Sequence, residues 1–451
     1  TPDAGGEESA DKGPPPPFRP HHLDSFFRAL YKTQSDAETR QTRVLHVGDS
    51  HTASDTITGR IRTLFQDKFG SAGRGYAYPG KPWRTFRQEQ MTYEMSPHWE
   101  TAFGTSRDPE PPFPAGGIRV ETSQEGAWVE RGTCDPDDCA YGRSFDRFAI
   151  HYLVQQEGGA FTVSVDGERP TLVETAGPEG EEPRVGLFER GVDPGPHTLR
   201  IETVDDQPVA LLGVRTQSGP EGIEYTSLGI NGATAPEFGS FNRELTRQEI
   251  DALDPDLMVF AFGTNEAYNL FHMHQNPDIS LEKVTQTMAN YQFEFDHLVD
   301  RYRSAAPQAS CLVMLPPDVA PPREEVPCRK RIDMGGEEPV CIPPTLRNYT
   351  GIVAIQKATA RRHGCALWDQ SHAMGGEGSI QRWAHLDPQL ARTDGVHMTM
   401  DGYHLLAEAF FSDITRSYAL WKAGEREPLK TRPIERSAPL SAARRPDLPV
   451  R

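Results

Sequence analysis

Between Pro111 and Ser218 the chain stops repeating apolar residues with a helical period and alternates them instead. The runs FDRFAIHYLV, GAFTVSVDG, HTLRIETV and PVALLGV are separated at short intervals by Gly, Pro and Asp. Alternation punctuated by turns predicts a β-sandwich or jelly roll of about 100 residues. Such a stretch cannot be part of a helical layer, so the rest of the chain has to build its own core on either side of it. With 451 residues there is length enough for two domains.

The flanking segments follow a different pattern. Leu23, Phe26, Phe27 and Leu30 give residues 22–32 an amphipathic helical face. Residues 43–48 (RVLHVG) form a short apolar run that predicts a buried strand, and residues 52–69 carry Ile57, Ile61, Leu64, Phe65 and Phe69 on one helical face. After the β-rich stretch come a second buried strand at 257–262, a helix over 284–302 and a strand at 311–315. A helix over 346–363, a strand at 365–369 and a closing helix over 402–421 follow. Strands alternating with helices imply a parallel sheet covered on both faces. The expected fold is therefore a three-layer α/β/α domain, residues 21–90 and 223–424, interrupted by an inserted β-sandwich of jelly-roll type at 91–222. A Pro-rich linker (1–20) and a Pro- and Arg-rich flexible tail (425–451) complete it.

Charge and cysteine usage narrow the function. The formal net charge of −18 argues against a nucleic-acid partner, which needs a basic face. No apolar run approaches the roughly 18 residues of a membrane span. Six cysteines occur in three suggestive pairs: Cys134 with Cys139 in TCDPDDC, Cys328 with Cys341 around a Gly/Pro-rich excursion, and Cys311 with Cys365, each opening an apolar run. Read as disulfides they place the chain in an oxidising, extracytoplasmic compartment; for Cys311 and Cys365, buried free thiols are the competing reading. The first twenty residues resemble the tether that follows a bacterial lipoprotein anchor, which would put a lipid-bearing cysteine upstream of Thr1. Periplasmic, outer-membrane or secreted placement is the expectation, and oligomeric state is left open.

The chemistry starts at HVGDSHTASD. Ser50 follows a strand and precedes a helix, which sets its hydroxyl at the C-terminal edge of a parallel sheet, where such folds keep their sites. A helix N-terminus there favours developing negative charge. Gly232, in SLGINGAT, could offer an unobstructed backbone N–H. Asn265, in FAFGTNEA, follows a buried strand and could donate from its side-chain amide. Asp394 and His397, in TDGVHMTMDGYH, lie three apart on one loop. Asp394 could hold the imidazole in one tautomer and leave the other nitrogen to Ser50. Each piece alone has a bland explanation: a capping serine, a turn glycine, a local Asn turn, a surface His beside an Asp. Their order and their placement at element boundaries make the set informative.

GDS at Ser50, Gly232, GTNE at Asn265 and DGVH at Asp394 and His397 resemble the four blocks of the SGNH (GDSL-type) hydrolase superfamily. The resemblance covers residues 40–83 and 223–420. GDSH, the following FGSAGRGY, the β-rich insertion and MGGEGSIQRW resemble its peptidoglycan O-acetylesterase branch, whose members carry a carbohydrate-binding-module-like β domain at this place. The resemblance implies a Ser50–His397–Asp394 triad, an oxyanion hole from Ser50 N–H, Gly232 N–H and Asn265, and hydrolysis of a carboxylic ester through an acyl-enzyme. No metal or organic cofactor is implied. His272 and His274 have no acidic third ligand near them in sequence. GTNE departs from the family's GxND, with Glu266 keeping the charge.

An inserted β domain suggests a polymeric, O-acetylated glycan as substrate, peptidoglycan foremost. Tyr76, Tyr78, Trp83 and Trp383 could stack on sugar rings, with core packing as the competing reading. Acetyl transfer to a sugar hydroxyl, a general carboxylesterase or lipase-like activity, and a binding protein that keeps the fold without catalysis are the alternatives.

Overall fold

The apolar run at 43–48 forms the middle of strand Gln41–Gly48, which lies inside a parallel sheet. The computed structural model describes residues 21–35, 39–321, 330–332, 340–342, 346 and 348–434. The sheet runs Gly222–Gly229, Gln41–Gly48, Leu257–Ala261, Ser310–Leu315, Ala366–Asp369, and every neighbouring pair is parallel. In order of appearance this is 2-1-3-4-5, so the strand order reverses beside Gln41–Gly48. In open α/β sheets ligands bind at the carboxyl ends beside such a reversal. The register is level there, with Gly48 opposite both Gly229 and Ala261. The next residues of all three strands therefore leave the sheet together.

Alternation sorts the strand side chains into two layers. Met258 and Phe260 face a core shared with Leu298, Val299 and Tyr302 of helix Leu281–Ala305. Leu257 and Val259 face the other core, with Phe26, Phe65, Leu406 and Phe410 from helices Asp24–Gln34, Thr56–Phe69 and Met400–Lys422. This is the expected three-layer α/β/α arrangement. Strand Gly222–Gly229 has no clear sequence signature, because GIEYTSLG is half polar. It is nonetheless buried throughout: Glu224 is paired with Arg215 at 2.7 and 2.8 Å, and Ser227 donates to Asp55.

The β-rich region forms two antiparallel sheets. One runs Arg184–Gly195, Phe145–Val154, Val209–Gln217, Ile118–Thr122, Glu100–Phe103, and Gly75–Ala77 also pairs with Val209–Gln217. The other runs Thr92–Met95, Trp128–Gly132, Thr198–Thr203, Ala160–Val165, Thr171–Glu174. The ring of Tyr152 from one sheet meets that of Phe161 from the other at 5.3 Å, edge to face.

Two local expectations change, and one is met. The helix expected over 52–69 is two helices, Ser50–Ala53 and Thr56–Phe69. Asp55 breaks it with a left-handed backbone, φ 51°, and is held that way by the buried ion pairs described below. The segment after 424 is pinned as far as residue 434: Arg432 pairs with Asp413, Asp369 N–H donates to Thr431, and Ile434 N–H donates to the Ala373 carbonyl. The disulfides Cys134–Cys139 and Cys311–Cys365 are formed, the second joining the sheet strand Ser310–Leu315 to the start of Ala366–Asp369. The proposed pair Cys328 and Cys341 lies outside the residues whose side chains are described, as do linker 1–20 and residues 435–451. Among the described residues no helix is long and apolar enough to cross a membrane.

Candidate active site

Ser50 is the first residue after the turn that leaves Gln41–Gly48, so the helix itself does not bond its N–H. Asp49 caps this helix by accepting from His51 N–H at 3.0 Å. The helix packs directly on the edge strand: a Cβ on Gly229 would sit 2.3 Å from the Ala53 nitrogen. Only glycine permits that approach, and it draws the serine turn toward the loop after Gly229.

Ser50 Oγ lies 3.1 Å from His397 Nε2. His397 Nδ1 lies 3.0 Å from Asp394 Oδ2. Asp394 Oδ1 accepts from the backbone N–H groups of Val396 and His397 at 2.8 and 2.9 Å. Partial desolvation pushes the Asp394 carboxyl up, but the hydrogen bonds from the His397 ring and these N–H groups outweigh it and hold it down at about 2. The carboxylate stays ionised at any working pH and fixes the proton of the His397 ring on Nδ1. The two side chains remain 36% and 41% exposed, so water reaches the pair.

The other motif residues gather at the same edge. Gly232 has φ +80°, a conformation that side chains rarely adopt, and open space where a Cβ would be. Its neighbour Asn231 lines the cleft with Ser50. Asn265 donates one amide hydrogen to the Ala233 carbonyl at 2.8 Å, which leaves its second N–H for another acceptor. Glu266 ties these loops together, accepting from Ala235 N–H at 2.8 Å and Gly263 N–H at 2.9 Å. The departure from the family's Asp thus places a longer carboxylate that reaches both loops. Burial pushes Asp49 up to about 8 and Glu266 up to about 7. Held toward their neutral forms, neither brings a strong negative charge to the edge where an oxyanion would form.

Residues not singled out from the sequence complete the site. The His51 ring packs 5.4 Å from that of His397, and its Nδ1 is 2.8 Å from the Tyr403 hydroxyl. Burial lowers His51 to about 3, so it stays neutral and does not oppose a positive charge on His397. A cleft of about 280 Å³ opens on Ser50 and His397, with Trp83, Arg87, Asn231 and Arg392 among its walls. A second depression adjoins it through Trp83 and Asn231 and reaches Phe103 of the β domain.

The loop that brings Trp83 and Arg87 here is anchored on Asp55, which is fully buried. Asp55 accepts from Arg62 at 2.6 and 2.7 Å, Ser227 Oγ at 2.9 Å and Glu89 N–H at 2.9 Å, with Arg74 at 3.4 Å. Burial alone would raise its carboxyl, but Arg62 and Arg74 outweigh it and hold it low.

Of the four aromatic residues considered for sugar stacking, only Trp83 borders the cleft. Tyr76 and Tyr78 are buried: the Tyr76 hydroxyl donates to Glu249, and that of Tyr78 to the Gly116 carbonyl at 2.8 Å. Trp383 is buried in the second core. Core packing is their role, because none of the three is more than 5% exposed.

Residues 199–405 match the family model described as GDSL-like Lipase/Acylhydrolase. The matched span contains Gly232, Asn265, Asp394 and His397 but not Ser50, which the β insertion separates from them. No curated protein matches the chain. Among solved structures, a peptidoglycan O-acetylesterase captured in action superposes with TM-score 0.66 at 22% identity, covering 88% of this chain and 96% of that one. These findings support a carboxylic ester hydrolase whose fold is of the SGNH type. In fold it resembles that O-acetylesterase along nearly its whole length. A family two carbohydrate esterase from Cellvibrio japonicus matches at 12% identity over 73% of this chain and 99% of its own, TM-score 0.27. Acetyl xylan esterase AlAXEase matches at 17% over 42% and 80%, TM-score 0.28. At those scores the two esterases add nothing to the fold assignment.

Proposed function

We propose that this hydrolase removes O-acetyl groups from a polymeric glycan, peptidoglycan foremost, with Ser50 as nucleophile, His397 as general base and Asp394 as its orienting carboxylate. The observation that carries the reading is the continuous chain Ser50 Oγ–His397 Nε2 at 3.1 Å and His397 Nδ1–Asp394 Oδ2 at 3.0 Å on the wall of a cleft. His397 takes the Ser50 proton as Oγ adds to the ester carbonyl. The oxyanion is received by Ser50 N–H, Gly232 N–H and the free amide hydrogen of Asn265, each such donor contributing about 2.7–4 kcal/mol in the transition state. Collapse releases the sugar hydroxyl, protonated by His397. A water molecule, deprotonated by the same ring, then hydrolyses the acetyl-Ser50 ester.

The small cleft supports a short acyl group, and its continuation past Trp83 to the β domain supports a polymer as the alcohol part. Two disulfides support an extracytoplasmic site of action. The test is acetate release from O-acetylated peptidoglycan, acetylated xylan and acetylated chitin fragments. Ser50→Ala is expected to lower release at least about 10⁴-fold with the fold intact. Undiminished release by purified Ser50→Ala would overturn the assignment. Loss of free acetate with acetylated oligosaccharide appearing instead would convert it to a transferase.

A further inference from the structure

The chain is strongly acidic, with 65 Asp and Glu against 47 Lys and Arg. The cleft over Ser50 inverts that balance: its walls include Arg87 and Arg392 and no carboxylate. Arg392 stands two residues before Asp394, on the loop that supplies His397. Its backbone N–H donates to the His397 carbonyl at 2.8 Å, so its origin is fixed relative to the reacting groups. Among the described residues its guanidinium has no hydrogen-bond or ion-pair partner. The neighbouring Asp394 does not neutralise it by contact, since both carboxylate oxygens are taken by His397 and backbone N–H groups.

Arg87 enters from the opposite domain segment, on the loop that Asp55 and Arg74 hold at Glu89. Its side chain is 54% exposed and touches Glu89 only at 3.4 Å, a long contact that leaves most of its donors free. The same cleft is lined by Trp83 and the exposed Met400, apolar surfaces suited to a sugar face, and by polar Asn231. A neutral acetylated sugar would use none of the cationic capacity. Two guanidiniums with free donors match a carboxylate, which they can bind bidentately.

We propose that this cleft selects O-acetylated sugars that carry a carboxylate beside the ester-bearing ring, and that Arg392 and Arg87 are the residues that recognise it. The proposal rests on the glycan-esterase reading above and names the charge class of its substrate. The carboxylate could belong to the ring itself, as in a uronic acid, or to an ether-linked side chain, as in a lactyl sugar. In either case the guanidiniums hold the substrate so that its acetyl carbonyl meets Ser50.

The test measures kcat and KM for acetate release from two acetylated oligosaccharides, one uronate-containing and one lactyl-sugar-containing. Each is paired with its carboxyl-reduced, neutral counterpart. Wild type is expected to favour at least one charged member about five- to tenfold in kcat/KM, mostly through KM, the size of a charge-assisted contact at a half-exposed site. Which of the two is preferred identifies the source of the carboxylate. The preference is expected to shrink as salt rises from about 0.05 to about 0.5 M. In Arg392→Gln, and further in the Arg87→Gln/Arg392→Gln double variant, the charged-to-neutral ratio should fall toward one, and Arg392→Lys should restore part of it. Equal kcat/KM on charged and neutral members in wild type, or a ratio untouched in the double variant, overturns the proposal alone. Acetate from none of the glycans, with an aryl acetate still hydrolysed, overturns the glycan reading and this proposal with it.

Discussion

Asp394 and Asp55 are both carboxylates held against cationic or basic partners and backbone N–H groups, yet their surroundings give them opposite work. Asp394 is 41% exposed and faces a single imidazole. Asp55 has no exposure and faces two guanidiniums. An imidazole can gain and lose a proton near neutral pH, and water can reach it; a guanidinium cannot be deprotonated in a protein. The exposed pair can therefore change charge during a reaction, and the buried one can only hold shape. What it holds is the serine turn, through the break between Ser50–Ala53 and Thr56–Phe69, and the loop that carries Trp83 and Arg87 to the cleft.

The comparison breaks most visibly at the exposed pair. Asp394→Asn keeps the shape but presents the wrong hydrogen-bonding group to the ring. It is expected to lower acetate release about 10⁴-fold with melting temperature nearly unchanged. A collapse of melting temperature in that variant would mean that Asp394 is structural too. Asp55→Ala should behave the other way, costing about 3–5 kcal/mol of stability by leaving Arg62 and Arg74 buried without their counter-charge, as read by denaturant unfolding. Asn265→Ala removes one oxyanion donor and is expected to lower kcat about 10²–10³-fold without altering stability to the same degree; an unchanged kcat would remove Asn265 from the site.

The smallest effect is in pH. The Asp55 carboxyl is held below its ordinary 3.8 in the folded chain. Its contribution is fully present above that value and is lost as pH falls through the lower folded one. The stability gap between wild type and Asp55→Ala should thus be constant from neutral pH down to about 4 and narrow below it. A gap that widens on acidification would show that the sign is wrong.

Sequence separation explains what could be read in advance. Asp394 and His397 stand three residues apart, and Ser50, Gly232 and Asn265 each follow an element end, so local pattern was enough to find them. The sheet strand at 257–261 is a continuous apolar run and the long helices carry clean periodicity, so both are legible from local pattern too. Asp55 was not, because its partners Arg62, Arg74, Glu89 and Ser227 come from four stretches and meet only after the sheet has formed. Strand Gly222–Gly229 was obscured by Glu224 and Ser227, polar residues whose burial depends on partners far away in the chain. Tyr76 and Tyr78 sit in a segment rich in glycine and aromatic residues that leaves sugar stacking and core packing equally open. Their acceptors, Glu249 and the Gly116 carbonyl, are invisible locally. Arg87 and Arg392 carry no local signal, because they meet only as lining of the cleft over Ser50.

The tyrosine hydroxyls have a mechanical consequence. Tyr76 bonds Glu249, Tyr302 bonds the Ala115 carbonyl at 2.8 Å, and Glu249 also accepts from Gly116 N–H at 3.1 Å. Through Glu249 and Tyr302 these bonds fasten the Tyr76 strand and the 115–116 turn of the β insertion to helices Arg243–Leu253 and Leu281–Ala305. Any swing of the insertion away from Ser50 would have to break these buried hydrogen bonds. An acetyl group on a long strand is thus offered to a slot whose walls they tie together, and fit is decided by what the strand carries into it.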